Sequence, residues 1–194
     1  PPPPPPAGRG GARAPPPPPL SALGRRQAEA LAAWLTDGAA AGWEPPVDAV
    51  VASPLRRAVE TAAPLAARLG VDVVLDEGVV EWDRHSPTYV PMEEMQAEGH
   101  PEWAAMVEGR WHELGVDVMG FRERVAAAFE GIVGRHPGQR VAVVCHGGVV
   151  NAWASHVLGL CDPVFFEPTY TGITRVLAAR SGARMGASLN EAAH

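Results

Sequence analysis

Three groups of residues in this 194-residue chain have the types and spacing that chemistry on an anion needs. The first is Ser53-Pro54-Leu55-Arg56-Arg57-Ala58-Val59-Glu60-Thr61-Ala62, a helix start directly after a short apolar run. A helix N-terminus offers unpaired amide hydrogens and the positive end of the dipole, and an arginine in the first turn adds a planar, two-pronged cation. Arg57 is therefore the candidate phosphate clamp. The competing reading makes Arg56 and Arg57 surface charges, one of them paired with Glu60 across a helical turn. The second group is Val143-Val144-Cys145-His146-Gly147-Gly148, an apolar strand that delivers His146 onto two glycines. Glycines permit close backbone approach to a ligand, so His146 is a candidate catalytic imidazole and Gly147 a candidate phosphate-binding amide; a structural histidine is the alternative. The third is Glu81, preceded by Val79 and Val80. Beside a bound phosphate its ionised form would be disfavoured by like charge, raising its pKa toward that of a general acid, whereas alone it is a solvated loop carboxylate. Cys145 does not read as a nucleophile, because a thiolate loop for phosphate needs an arginine at the position that Asn151 occupies. A small buried residue is its expected role.

These groups need elements to bring them together. Ser21 can cap a helix whose Ala28, Leu31, Ala32 and Leu35 recur at helical spacing up to Gly38. Residues 47–52 form a short buried strand, and Ser53 as N-cap with Pro54 at the first helical position starts a second helix, which Pro64 should kink or distort in its middle before Gly70 ends it. A strand follows at 71–75, then a loop at 79–91 carrying Trp82, Asp83, Arg84, His85 and Tyr89. Residues 91–114 read as two short helices broken at 99–101, an insertion of about 88–115 over one sheet edge in which Met92, Met95 and Met106 pack. A longer helix ends near Gly134, a buried strand spans 141–145, a helix runs on to about Leu158, and 173–179 with 184–189 form a terminal hairpin. Strands alternating with helices imply an α/β fold: a three-layer α/β/α sandwich around a mostly parallel sheet with a small helical insertion. Ligands in such sheets bind beyond the carboxyl ends of the strands, where all three groups lie.

Composition narrows the partners. Sixteen basic residues against 22 acidic ones give a net charge of −6, which argues against nucleic acid as a partner. No apolar run approaches the roughly 20 residues of a membrane span, and no secretory leader is evident, so a cytoplasmic location is expected. Two cysteines, Cys145 and Cys161, suffice neither for a disulfide framework nor for a four-thiolate metal site. All sixteen basic residues are arginine, which speaks of coding bias and counsels against over-reading any one of them. Eleven of the 21 prolines fall in residues 1–19, a tail that favours extended polyproline II, with an aromatic-groove ligand as the sharper alternative to a disordered or misassigned one. An opening on proline and not methionine is expected of a fragment, a processed form or an imperfectly determined start.

Leu20-Ser21-Ala22-Leu23-Gly24-Arg25-Arg26-Gln27-Ala28, the 53–62 segment, Glu81 and the 143–148 segment stand in the order of the histidine phosphatase superfamily, the phosphoglycerate mutase-like proteins. The chain resembles that family from Leu20 to its end, 20–194, and even Ser188-Leu189-Asn190-Glu191-Ala192-Ala193-His194 is similar to actinobacterial members. The resemblance implies phosphoryl transfer through a phosphohistidine without cofactor or metal. Arg57 then matches the phosphate-binding arginine, His146 the second histidine and Glu81 the proton donor, with a small phosphorylated metabolite or inorganic phosphate as partner and oligomeric state open, a homodimer included. The family's nucleophile lies in an Arg-His-Gly motif at the end of a first apolar strand. No histidine precedes His85 here, and Arg9-Gly10-Gly11 only echoes the motif, so the first strand is expected to be missing from the sequence, or the chain to be an inactive descendant. The 81–94 segment also departs from glycolytic mutases, which favours a phosphatase and offers Trp82, Arg84, His85 and Tyr89 as residues of the leaving-group side. A catalytically dead phosphate-binding or scaffold protein is the second hypothesis. A nucleotide-binding oxidoreductase trails, because no Gly-x-Gly-x-x-Gly follows a predicted strand.

Overall fold

The computed structural model describes residues 19–42, 44–83 and 92–192. Ser21 accepts a hydrogen bond from the Gly24 amide at 3.0 Å and starts α1 (Ala22–Ala41). The helix runs past Gly38, where the sequence reading stops it. Gly38 is buried inside it, and the terminator is Gly42 at φ 81°, in the left-handed region that closes a helix end.

The succession after α1 is β1 (Ala49–Ala52), α2 (Arg56–Leu69), β2 (Val73–Leu75), α3 (Met92–Ala97), α4 (Pro101–Val107), α5 (Val118–Arg135), β3 (Val141–Val144), α6 (Gly147–Leu158), β4 (Ile173–Ala178) and β5 (Arg184–Glu191). α2 continues from Arg56 to Leu69 through Pro64. β1 pairs in parallel with β2 on one side and β3 on the other, giving the order β2-β1-β3. Strand alternation then separates two apolar faces. Val50, Ala52, Ala142 and Val144 pack with Ala32 and Leu35 of α1 and Ala62 and Leu65 of α2. Val51, Val141 and Val143 pack with Val125 and Ile132 of α5 and Val149 and Trp153 of α6. The result is the expected α/β/α sandwich.

α3 and α4 flank Gly99 and, with a 3₁₀ turn at Trp111–Leu114, gather Met95, Met106 and Trp111 into a third cluster against which Trp82 and Trp103 pack. The packing role read for Met95 and Met106 is seen here; the Met92 side chain is outside the described set. β4 and β5 form a separate antiparallel hairpin. Buried Glu44 ties it to the sheet, taking Arg140 at 2.5 Å, just before β3, and Arg175 of β4 at 2.6 Å. Among the described residues no strand pairs with the outer edge of β3, and a cavity of about 2820 Å³ runs between β3 and β4. No helix among the described residues is long and apolar enough to cross a membrane.

Candidate functional site

β1 and β3 run in parallel with Ala52 opposite Val144, so Ser53 and His146 leave the sheet at the same end. Ser53 is not the helix cap that its position suggested. α2 starts at Arg56 with Leu55 at the N-cap and no side-chain cap, and Pro54 precedes the helix. Ser53 is fully buried and its Oγ sits 2.8 Å from His146 Nε2. Arg57, in the first turn of α2, donates from Nε to His146 Nδ1 at 3.2 Å. A guanidinium can only donate, so Nδ1 presents its lone pair and the ring proton lies on Nε2, directed at the serine oxygen. Burial first, and then the Arg57 cation, push the His146 pKa down to about 3. The imidazole is neutral at physiological pH.

The two adjacent arginines point different ways. Arg56 pairs with Glu60 at 2.6 Å on the surface, while Arg57 turns inward and also meets Asp83 at 3.4 Å. Glu81 is buried, and both carboxyl oxygens accept amide hydrogens: Oε1 from Trp82 at 3.0 Å and Oε2 from Gly148 at 2.9 Å. Its pKa rises to about 7, because desolvation outweighs the two amides and Arg57, with Asp83 adding to the rise. Gly148 is what permits this approach, since a Cβ there would lie 2.4 Å from Glu81 Oε1. Cys145 beside His146 has its thiol pushed up to about 12 by burial and by Glu81, consistent with an inert sulfur.

Gly147 opens α6, facing Pro168, whose Cγ is 3.8 Å from where a Gly147 Cβ would be. Asn151, one turn on, is buried and spends its whole amide on this wall. Nδ2 donates to Gly147 O (3.1 Å) and Phe166 O (2.9 Å), and Oδ1 accepts from the amides of Phe165 (2.9 Å) and Phe166 (3.1 Å). Arg57, Glu81, His146, Gly147 and Gly148 all line one end of the large cavity. Trp82 lines it too, but its ring is set edge-on against Trp111 at 6.1 Å, within the third cluster. Arg84, His85 and Tyr89, the other residues offered for the leaving-group side, lie outside the described residues. Among the described residues, no cluster of three or more His, Cys, Asp and Glu side chains has metal-binding geometry. Sequence reasoning missed Ser53, Asp83 and Asn151 as parts of the site. Only Asn151, a polar residue one turn into the apolar start of α6, carried a local signal.

Buried Glu81 makes stability pH-dependent with a definite sign. The folded state binds its proton more tightly than the unfolded chain, so stability falls as pH rises from about 4.5 to about 7 and the full penalty is present above that. The difference is worth up to about 3 kcal/mol. His146 acts oppositely: held neutral, it withdraws stability as pH falls from 6.5 toward about 3. Urea unfolding between pH 5 and 8 should therefore give a steeper rise of stability with pH in Glu81→Gln than in the parent chain. Equal slopes would show that Glu81 is solvated.

A guanidinium, a neutral imidazole, a carboxylic acid and helix N-terminal amides thus lie together at the carboxyl end of a parallel sheet, and these are groups that can hold an anion. The chain belongs to the histidine phosphatase superfamily (branch 1), whose family model matches residues 8–188. It is 28% identical over 144 residues to phosphoglycerate mutase-like protein 4 of Arabidopsis thaliana, an alignment covering 69% of this chain. The chain spans 57% of the length of that curated relative. Among solved structures, it shares its fold with phosphoserine phosphatase from Entamoeba histolytica in complex with 3-phosphoglyceric acid (TM-score 0.70, 21% identity, 90% of this chain and 85% of that one). Mycobacterial glucosyl-3-phosphoglycerate phosphatase is similar (TM-score 0.69, 22% identity, 89% and 87% covered), as is α-ribazole phosphatase from Shigella flexneri (TM-score 0.65, 18% identity, 89% and 84%).

Proposed function

We propose that the hollow binds the phosphoryl group of a small phosphomonoester and serves its hydrolysis through a phosphohistidine. The observation that carries this reading is the contact of Arg57 with neutral His146 beside Glu81, a carboxylic acid whose pKa of about 7 suits it to give and take a proton near neutrality. Arg57 and the first amides of α6 face the phosphoryl oxygens, with His146 held beside them by Arg57 and Ser53. The attacking imidazole is a different one, because both His146 nitrogens are engaged; family resemblance assigns it to the Arg-His-Gly motif. As the N–P bond forms and the P–O bond breaks, Glu81 passes its proton to the leaving alkoxide. The resulting carboxylate then takes a proton from the water that cleaves the N–P bond, and inorganic phosphate departs.

A second reading, phosphate binding without turnover, is favoured by one observation on the sequence given: no histidine precedes His85, so the Arg-His-Gly motif is not seen in it. One experiment separates the two. The full chain is incubated with p-nitrophenyl phosphate and, separately, with an unactivated alkyl phosphate, each with a chelator, phosphate release is followed from pH 5 to 9, and inorganic phosphate binding is measured in parallel by calorimetry. Release whose rate falls above pH about 7 with unactivated alkyl phosphates supports hydrolysis. Saturable binding without release supports the second reading, and neither signal overturns both.

A further inference from the structure

We infer that Asp83 is a resident competitor for Arg57: its carboxylate holds the guanidinium prong that a phosphoryl oxygen must take, and so loosens the grip of the hollow on inorganic phosphate. This inference rests on the phosphoryl site proposed above and adds to it a residue that governs product release. The segment carrying Asp83 is fixed from within the protein. Val79 and Val80 are buried, and Arg124 of α5 donates to the carbonyls of Gly78 at 2.6 Å and Val80 at 2.7 Å. Trp82 packs against two of the apolar clusters, and an acid stands on each side of it. Glu81 turns inward onto the amides of Trp82 and Gly148, whereas the Asp83 side chain stays 22% exposed and meets Arg57.

The geometry of that meeting separates a competitor from a strut. Asp83 Oδ1 accepts from Arg57 Nη2 at 3.4 Å, while Nε of the same guanidinium donates to His146 Nδ1 at 3.2 Å. Nε and Nη2 are the side-by-side pair with which an arginine grips an oxyanion. Asp83 therefore lies on the edge of Arg57 that a phosphoryl group beside His146 would use. A strut closes tightly, as Glu44 does on Arg175 at 2.6 Å where it ties the hairpin to the sheet. The Arg57 contact is long for a charge-assisted hydrogen bond, and His146 gives Arg57 a separate anchor. A ligand that displaces Asp83 surrenders one favourable contact for another and then sits close to a like charge, so its affinity is lowered on both counts. Inorganic phosphate leaves at the end of every turnover, and an unopposed guanidinium would retain it. The Asp83 charge also reaches Glu81, where it favours the protonated acid against the pull of Arg57 and of the Trp82 and Gly148 amides, with the Cys145 thiol on the far side.

Calorimetric titration of the full chain with inorganic phosphate at pH 7 tests this, at low ionic strength where the attraction is least screened. Asp83→Asn keeps the shape and removes the charge, and should bind phosphate on the order of fivefold more tightly, the effect of an ion pair near the surface. Asp83→Glu keeps the charge and should stay within about twofold of the parent. A gain in affinity is a result that loss of a structural contact does not produce. Unchanged or weaker binding in Asp83→Asn overturns the inference, the weaker binding in favour of a strut, and so does an equal gain in Asp83→Glu. Absence of binding in the parent and both variants overturns the phosphoryl site itself and this inference with it, an outcome distinct from binding that is indifferent to residue 83. A carbon-13 NMR titration of the Glu81 carboxyl gives a second reading in the folded variants. Its midpoint should drop below about 7 in Asp83→Asn and hold in Asp83→Glu. An unmoved midpoint in Asp83→Asn would show that the Asp83 charge does not reach the hollow, and would also overturn the inference.

Discussion

Arg57→Ala is expected to reduce phosphate release from an aryl phosphate on the order of a hundredfold or more, the loss seen when a well-placed donor to a developing charge is removed. The same change removes the hydrogen bond to His146 Nδ1 and the second of the two causes that depress its pKa. The imidazole should then titrate above about 3, while burial still holds it below 6.5. An NMR titration of His146 thus reads the contact independently of turnover. His146→Ala should match Arg57→Ala in rate, and the double variant should fall little further, because the residues act as one unit. Undiminished release in either single variant would remove that residue from the phosphoryl site. An unmoved His146 titration would remove the contact itself.

Gly148→Ala should be the second large effect, although it deletes no functional group. The new methyl would stand 2.4 Å from Glu81 Oε1, so the carboxyl must leave the Gly148 amide and with it the position in which burial keeps it protonated near neutrality. Hydrolysis of an alkyl phosphate, which needs a proton on its leaving oxygen, should slow on the order of a hundredfold, and that of an aryl phosphate much less. Glu81→Gln should show the same split between substrates, and adding Gly148→Ala to it should cost almost nothing more. Equal slowing of both substrates, or full additivity, would count against an acid role for Glu81.

What the sequence disclosed and what it concealed divide along the range of the interactions. The strands are legible because 47–52, 71–75 and 141–145 are apolar runs bounded by turn residues, and the parallel order follows from the helices between them. Arg57, Glu81 and His146 were individually visible as polar groups at strand exits, and the fold carries them to one end of the sheet. Ser53 was misread for a clear reason: a serine before proline at a helix start satisfies every local rule for an N-cap, but its hydroxyl is claimed by a histidine 93 residues away. Asp83 likewise looks like loop polarity until Arg57, 26 residues earlier, is placed beside it. The misplaced end of α1 has the opposite origin. Gly38 is a plausible stop on composition, and only the dihedral angles show that Gly42 is the residue in the left-handed region.

The tautomer that Arg57 imposes on His146 has a consequence for how the hollow meets an anion. The guanidinium's positive charge helps to keep the ring unprotonated. A dianion docking on Arg57 would offset that charge and add its own attraction for a hydrogen ion, so the ring's affinity for one must rise on docking. If the hollow binds a phosphoryl group as proposed, occupancy and proton uptake would be coupled, and binding would strengthen as the pH is lowered toward the range in which the occupied ring takes up its proton.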